Sequence, residues 1–164
     1  MRSRALLAST AVVVVTAAGV TVGAAQAQPD SPAARTQAGR AASQIVVVER
    51  AVSDTVVDQG PTGDSLGDLL AFGNPVYDRT NTHQVGRDQG SCVRTVVGKA
   101  WECSYTTSLA KGALVVEGPF YDTRDSVLAI TGGTGSYSRA RGVLHLHARN
   151  AKGTAFTFRF VVQR

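Results

Sequence analysis

The run Thr154-Ala155-Phe156-Thr157-Phe158-Arg159-Phe160-Val161-Val162 decides the class of fold. Phe156, Phe158 and Phe160 point one way and Thr157 and Arg159 the other, the period of two of a strand with one buried face. Residues 142–148 repeat the pattern, with Leu144 and Leu146 opposed to His145 and His147. Working back along the chain, β-branched and aromatic runs occupy 44–53, 69–72, 82–85, 91–97, 100–109, 113–119 and 126–131. Gly, Asn, Asp and Pro punctuate them at roughly ten-residue intervals, and helical periodicity is almost absent. The folded part is therefore all-β, about eight antiparallel strands forming a sandwich or a barrel. Closure would remove exposed edges, and at about eight strands the interior is either filled by side chains or holds one small ligand.

The strands are preceded by an address. Arg2 and Arg4 form a positive start, 5–22 is apolar and small, and Ala25-Gln26-Ala27 is a small-x-small cleavage pattern. These features predict a signal peptide over 1–27 and secretion by a Sec-type route; a retained anchor is the alternative reading of the apolar stretch. Residues 28–43 are rich in Pro, Ala, Gln and Arg without apolar periodicity, and read as a disordered leader. The single folded domain is expected over 44–164. No later segment is apolar for long enough to span a bilayer, so stable membrane insertion is not expected.

The formal net charge of +5 falls to +3 on loss of Arg2 and Arg4. The remaining basic residues are scattered, and nucleic-acid binding needs a basic stripe, so no nucleic-acid partner is expected. Cys92 and Cys103 are the only cysteines, both in the exported part. In an oxidising compartment they predict one disulfide. A two-residue turn at Val97-Gly98, or a longer loop with the same centre, would set them opposite each other on adjacent strands. The rival reading keeps Cys92 as a free thiol.

Several tempting motifs read better as structure. Gly132-Gly133-Thr134-Gly135 lacks the spacing of a dinucleotide fingerprint or a P-loop and reads as a turn needing positive φ. His145 and His147 share a strand face but lack a third ligand, so no metal is expected. No Gly-x-Ser-x-Gly elbow supports a serine hydrolase. Asn74, between Gly73 and Pro75, reads locally as a loop or turn residue.

Longer segments carry a family resemblance. Ser65-Leu66-Gly67-Asp68-Leu69-Leu70-Ala71-Phe72-Gly73-Asn74, continuing to Tyr77, resembles the Gly-Asp-Leu segment of plant allene oxide cyclases. Gly90-Ser91-Cys92-Val93, Val116-Glu117-Gly118-Pro119-Phe120 and Leu128-Ala129-Ile130-Thr131-Gly132-Gly133-Thr134-Gly135 resemble three further segments of the same proteins. Residues 132–142 are also similar to a motif of dirigent proteins. The similarity spans about 44–162, the whole expected domain.

The resemblance implies a closed eight-stranded antiparallel barrel with an apolar cavity, commonly assembled as a homotrimer, a homodimer being the alternative. It implies no cofactor. In the plant cyclases an acidic side chain stabilises positive charge, an Asn-held water binds the epoxide oxygen, and aromatic walls hold the chain. Asn74 matches that Asn, and Cys92 the cavity Cys. Phe120 replaces a cavity Tyr. A direct alignment puts Val46 at the acid position, and a shifted one puts Glu49 there. The expected catalytic pair is thus Asn74 and Glu49, with Phe72, Trp101, Tyr105 and Phe120 as pocket walls. The expected function is guidance of cyclisation or isomerisation of a hydrophobic small molecule. A non-catalytic hydrophobic-ligand carrier and a purely structural barrel are the alternatives. An ionisable group with a shifted pKa in the lumen would favour chemistry.

Overall fold

Alternation dictates the inner wall of the barrel. A computed structural model of the chain describes residues 42–163. The expected signal segment and nearly all of the leader lie outside them. The strands are β1 (Ser43–Arg50), β2 (Thr55–Val57), β3 (Leu69–Tyr77), β4 (Gln84–Val96), β5 (Ala100–Leu109), β6 (Gly112–Tyr121), β7 (Ser126–Gly133), β8 (Arg141–Ala148) and β9 (Ala155–Gln163). Neighbours pair antiparallel in the order β1-β9-β8-β7-β6-β5-β4-β3, and β1 pairs again with β3 to close the ring. The result is a closed eight-stranded barrel, with β2 as a short extra strand on β3.

Phe156, Phe158, Phe160 and Val162 of β9 are buried, as the alternation requires, and Leu144 and Leu146 of β8 face them from the next strand. Burying each such side chain contributes about 1.5–3 kcal/mol. Phe158 meets Phe160 edge-to-face at 6.1 Å between ring centroids. His145 and His147 take the opposite side of β8, and His147 pairs with Asp125 at 2.7 Å.

Two regions differ from the local reading. Asn74 and Pro75 lie inside β3 rather than in a loop, and 84–96 is one strand where two shorter runs were expected. Each departure has its own cause in the pairing of neighbours. β1 ends at Arg50 and the chain resumes as β2 at Thr55, both against the same edge of β3. Val76 and Tyr77 pair with β1 and Leu69–Ala71 with β2, so the middle of β3 faces a gap in its neighbour. A proline, which lacks the ladder N–H, is tolerated at such an irregularity. Its other neighbour, β4, is continuous through Gly86 and Gly90, so glycines that look like breaks locally are carried by pairing on both sides.

The β4–β5 turn spans Val97 to Lys99 with Gly98 at φ 64°. It sets Cys92 opposite Cys103, and the two form a disulfide. Within the expected turn at 132–135, Gly132 and Gly133 still belong to β7; positive φ is confined to Gly135 at 55°, which starts a 3₁₀ turn through Tyr137.

Candidate functional site

Successive inward positions of β3, β4 and β5 form rows across the barrel. Asn74, Asp88 and Thr107 make one row, Phe72, Gly90 and Tyr105 the next, and Leu70, Cys92 and Cys103 the third. Glu49 enters from β1, opposite Val76 and so beside Asn74. A side chain at position 90 would collide with Cβ of Tyr105, so glycine there lets β4 and β5 close while the tyrosine ring lies inward.

Asn74 is fully buried and uses its whole amide. Its Oδ1 accepts from the main-chain N–H groups of Val52 and Ser53, both at 3.0 Å, and from the Ser53 hydroxyl at 3.1 Å. Its Nδ2 donates to Glu49 Oε1 at 2.6 Å and to Asp54 Oδ1 at 2.7 Å. The side chain thus fills the gap between β1 and β2, satisfying N–H groups that have left the ladder. It also aims two carboxylates. The aligned alternative, Val46, falls on the other side of β1 from Val47 and Glu49 by alternation.

Glu49 meets a second acid, Asp88, which is wholly buried. Among the described residues the Asp88 oxygens meet no side-chain donor other than a protonated Glu49, with which Asp88 shares a carboxyl–carboxyl hydrogen bond. Burial pushes the Glu49 carboxyl up to about 7, opposed by the hydrogen bond from Asn74 and helped by the charge of Asp54. Burial likewise pushes Asp88 up to about 9, and the Glu49 charge adds to the effect. Two like-charged carboxylates in an apolar interior resist double ionisation, so the pair holds a proton near neutrality. The Tyr105 hydroxyl is buried without a partner; burial first, then the charges of Glu49 and Asp88, hold it well above its ordinary value. The Thr107 hydroxyl, in the Asp88 row, is also unpartnered.

These acids line a cavity of about 50 Å³ together with Asp54, the Cys92–Cys103 disulfide and apolar side chains. Phe72, Tyr105, Phe120, Phe156 and Phe158 supply its aromatic walls. Phe72 packs edge-on to Tyr105 at 5.5 Å, and Phe120 edge-on to Phe156 at 5.8 Å. Leu70, Phe72 and Phe120 are only half-buried and Asp54 is exposed, which marks the rim.

Of the residues expected from sequence, Asn74 and Glu49 meet, and Phe72, Tyr105 and Phe120 line the cavity. Trp101 does not line it. The indole lies under the Arg94 guanidinium at 3.9 Å and donates from Nε1 to Asp122 at 3.1 Å. Arg94 also pairs with Asp64 and Asp122 at 2.6 and 2.7 Å. Asp68, from the Gly-Asp-Leu segment, is tied to structure as well. It accepts from the N–H groups of Gln59 and Ser65, which hold its carboxyl below the ordinary range.

Asp88 and Asp54 were missed. Period two from Cys92 places Asp88 inward, but Arg87, Asp88, Gln89 and Ser91 are polar on both faces and hide the alternation. Asp54 has no periodic signal, since it sits in the strand break. Among the described residues, no group of three or more His, Cys, Asp or Glu is arranged to hold a metal.

The allene oxide cyclase family model matches residues 45–159. Among solved structures, a pyocyanin demethylase superposes with a TM-score of 0.62 at 24% identity, covering 71% of this chain and 98% of its own. A pterocarpan synthase dirigent protein gives 0.66 at 16% identity, covering 77% and 97%. A Diels-Alderase from Streptomyces koyangensis gives 0.60 at 12%, covering 78% and 70%. At these identities the structural likenesses establish the barrel.

Proposed function

The chain belongs to the allene oxide cyclase family, and from that premise we propose that its lumen takes up a hydrophobic small molecule and guides its cyclisation or isomerisation by acid chemistry. The observation that carries this reading is the buried Glu49–Asp88 pair facing the unpartnered Tyr105 hydroxyl among aromatic walls. A carboxyl kept protonated at neutral pH can donate to a substrate oxygen as negative charge develops there. Its ionised partner can stabilise positive charge elsewhere on the substrate, in a medium where such interactions are strong. The walls contribute by restricting the substrate to a reactive conformation.

Asn74 acts here as a positioning residue. Its amide holds Glu49, while its oxygen is already occupied by the strand break. A water held by Asn74 Oδ1, as the resemblance implied, would compete with three donors.

The cavity of about 50 Å³ is smaller than a drug-sized site, which runs to about 300 Å³ or more. Ligand entry therefore involves displacement of the half-buried Phe72 and Phe120. The chemistry is proposed to occur outside the cell after loss of 1–27, a reading supported by the disulfide, since such bonds persist in oxidising compartments.

The test is stereochemical. Mature protein is incubated with a panel of epoxides, enones, phenols under one-electron oxidation, and nitrogen heterocycles, and products are resolved by chiral chromatography. The expected result is an enantiomeric excess absent without protein, with the rate lowered about 100-fold in Asp88→Asn, the usual scale of a lost general acid. Racemic product throughout, with no retained ligand by native mass spectrometry, would overturn the reading.

A further inference from the structure

The charge of the lumen narrows the ligand class. Three carboxyl groups line the cavity, Glu49 and Asp88 inside and Asp54 at the rim, and among the described residues no Lys, Arg or His lines it. The protein as a whole is cationic, at +5, so this anionic lining runs against its overall charge. Glu49 is 6% exposed and Asp88 is fully buried. Apart from each other and the main chain at Asp88, their only described donor is Asn74 Nδ2, a neutral amide, and no described cation reaches them. Buried charge normally meets a counter-charge, and here the open side of the pair is the cavity. A second observation points the same way. The Tyr105 hydroxyl, 5% exposed, has no partner and lines the same space. The remaining wall is aromatic, and ring faces attract cations as carboxylates do.

Resting on the reading of the lumen as a ligand site, we propose that it selects a compact aromatic ligand carrying a cationic nitrogen, seated against Glu49 and Asp88 with its apolar body between Phe72, Phe120 and Phe156. A ligand ending in a carboxylate is disfavoured, because it would approach Asp54 at the rim and the acid pair within, with no lining cation to receive it. The binding is non-covalent, and the ion pair forms inside an apolar wall rather than in water. Asp54 at the exposed rim would meet the cation first.

The inference is checked with three bicyclic probes of matched size, N-methylquinolinium, 1-methylnaphthalene and 1-naphthoate, titrated calorimetrically into the mature protein. N-methylquinolinium should bind about tenfold tighter than 1-methylnaphthalene, which corresponds to one net favourable ion pair. 1-Naphthoate should bind weaker than either. In the Glu49→Gln/Asp88→Asn double variant the cation should lose its advantage while 1-methylnaphthalene keeps its affinity, which also reports that the lumen is still formed. Asp54→Asn, at the exposed rim, keeps an amide oxygen to accept from Asn74 Nδ2 while removing the charge, so it serves as a second variant and should reduce the cation preference in part. Equal binding of cation and neutral probe would overturn charge selection and leave the lumen a ligand site. Binding of none of the three, or a cation preference that survives in the double variant, would overturn the inference.

Discussion

Asn74 and Asp88 sit in one row and carry opposite kinds of energetic consequence. Asn74 closes five hydrogen bonds, so Asn74→Ala unpairs the Val52 and Ser53 N–H groups and the Glu49 and Asp54 carboxylates at once. Of these partners Glu49 is the buried one; an unsatisfied buried group costs about 1–3 kcal/mol, and the variant should lose that much in urea unfolding. A loss below about 1 kcal/mol would mean that the strand break does not depend on this amide. Asp88 shares its proton with Glu49 instead of joining a network of neutral donors. With Glu49 raised to about 7 and Asp88 to about 9, the folded state binds more protons than the unfolded state above about pH 4. Stability attributable to the pair is therefore fully present below that pH and declines as pH rises through both folded values. Unfolding free energy should fall between pH 5 and pH 9, and Asp88→Asn should flatten that fall. An unchanged slope in the variant would contradict the shared-proton description. Asp68 and Asp78, held below their ordinary range by main-chain N–H groups, act oppositely and lose their contribution as pH falls through their folded values.

At the scale of elements, the β4–β5 hairpin is joined twice, by its ladder from Gly86↔Leu109 to Val96↔Ala100 and by the Cys92–Cys103 bond. The bond closes a short loop, with a sequence separation of 11. Its chain-entropy contribution is accordingly about 2–3 kcal/mol. Cys92→Ser/Cys103→Ser should lower the melting temperature yet leave far-ultraviolet circular dichroism unchanged, because the ladder remains. Loss of the strand signal would show that the hairpin depends on the bond. The same elements show how legible the sequence was. β5, β7, β8 and β9 coincide with their runs to within a residue or two, because β5, β8 and β9 alternate between an inner and a more polar outer face and β7 is a β-branched run bounded by turn residues. β2 escaped notice because its three residues are all exposed and present no alternation. β3 was shortened at Phe72 because Gly73-Asn74-Pro75 carries turn chemistry, which pairing with β4 overrides.

Across the whole molecule, the barrel interior divides into a polar region around Asn74, Asp88 and Glu49 and an aromatic wall that reaches the half-buried Phe120. Phe120→Ala should enlarge the cavity at the cost of about 1–3 kcal/mol of stability, less than a fully buried phenylalanine would show. If entry is limited by this ring, 1-methylnaphthalene should bind several-fold tighter to the variant, by calorimetry. Unchanged affinity would place the entry path elsewhere along the rim. Beyond the cavity, Arg94 stacks on Trp101 and joins Asp64 and Asp122, fastening the loop before β3 to the β4–β5–β6 region. That arrangement accounts for why Trp101 is buried without belonging to the cavity.

The sequence by itself determined most of the strands, the facing of Cys92 and Cys103, and the family, because alternation and turn residues act over a few positions and motif order survives along the chain. Glu49 remained ambiguous there, Asn74 looked like a turn, and Asp88 and Asp54 carried no signal. Only ring closure decided the site. Pairing of β1 with β3 brings Glu49 beside Asn74 across 25 residues, the break between β1 and β2 delivers Asp54, and the β3–β4 register adds Asp88. Each residue's ionisation is then set by burial among the others, a property of the enclosed volume that no stretch of sequence contains.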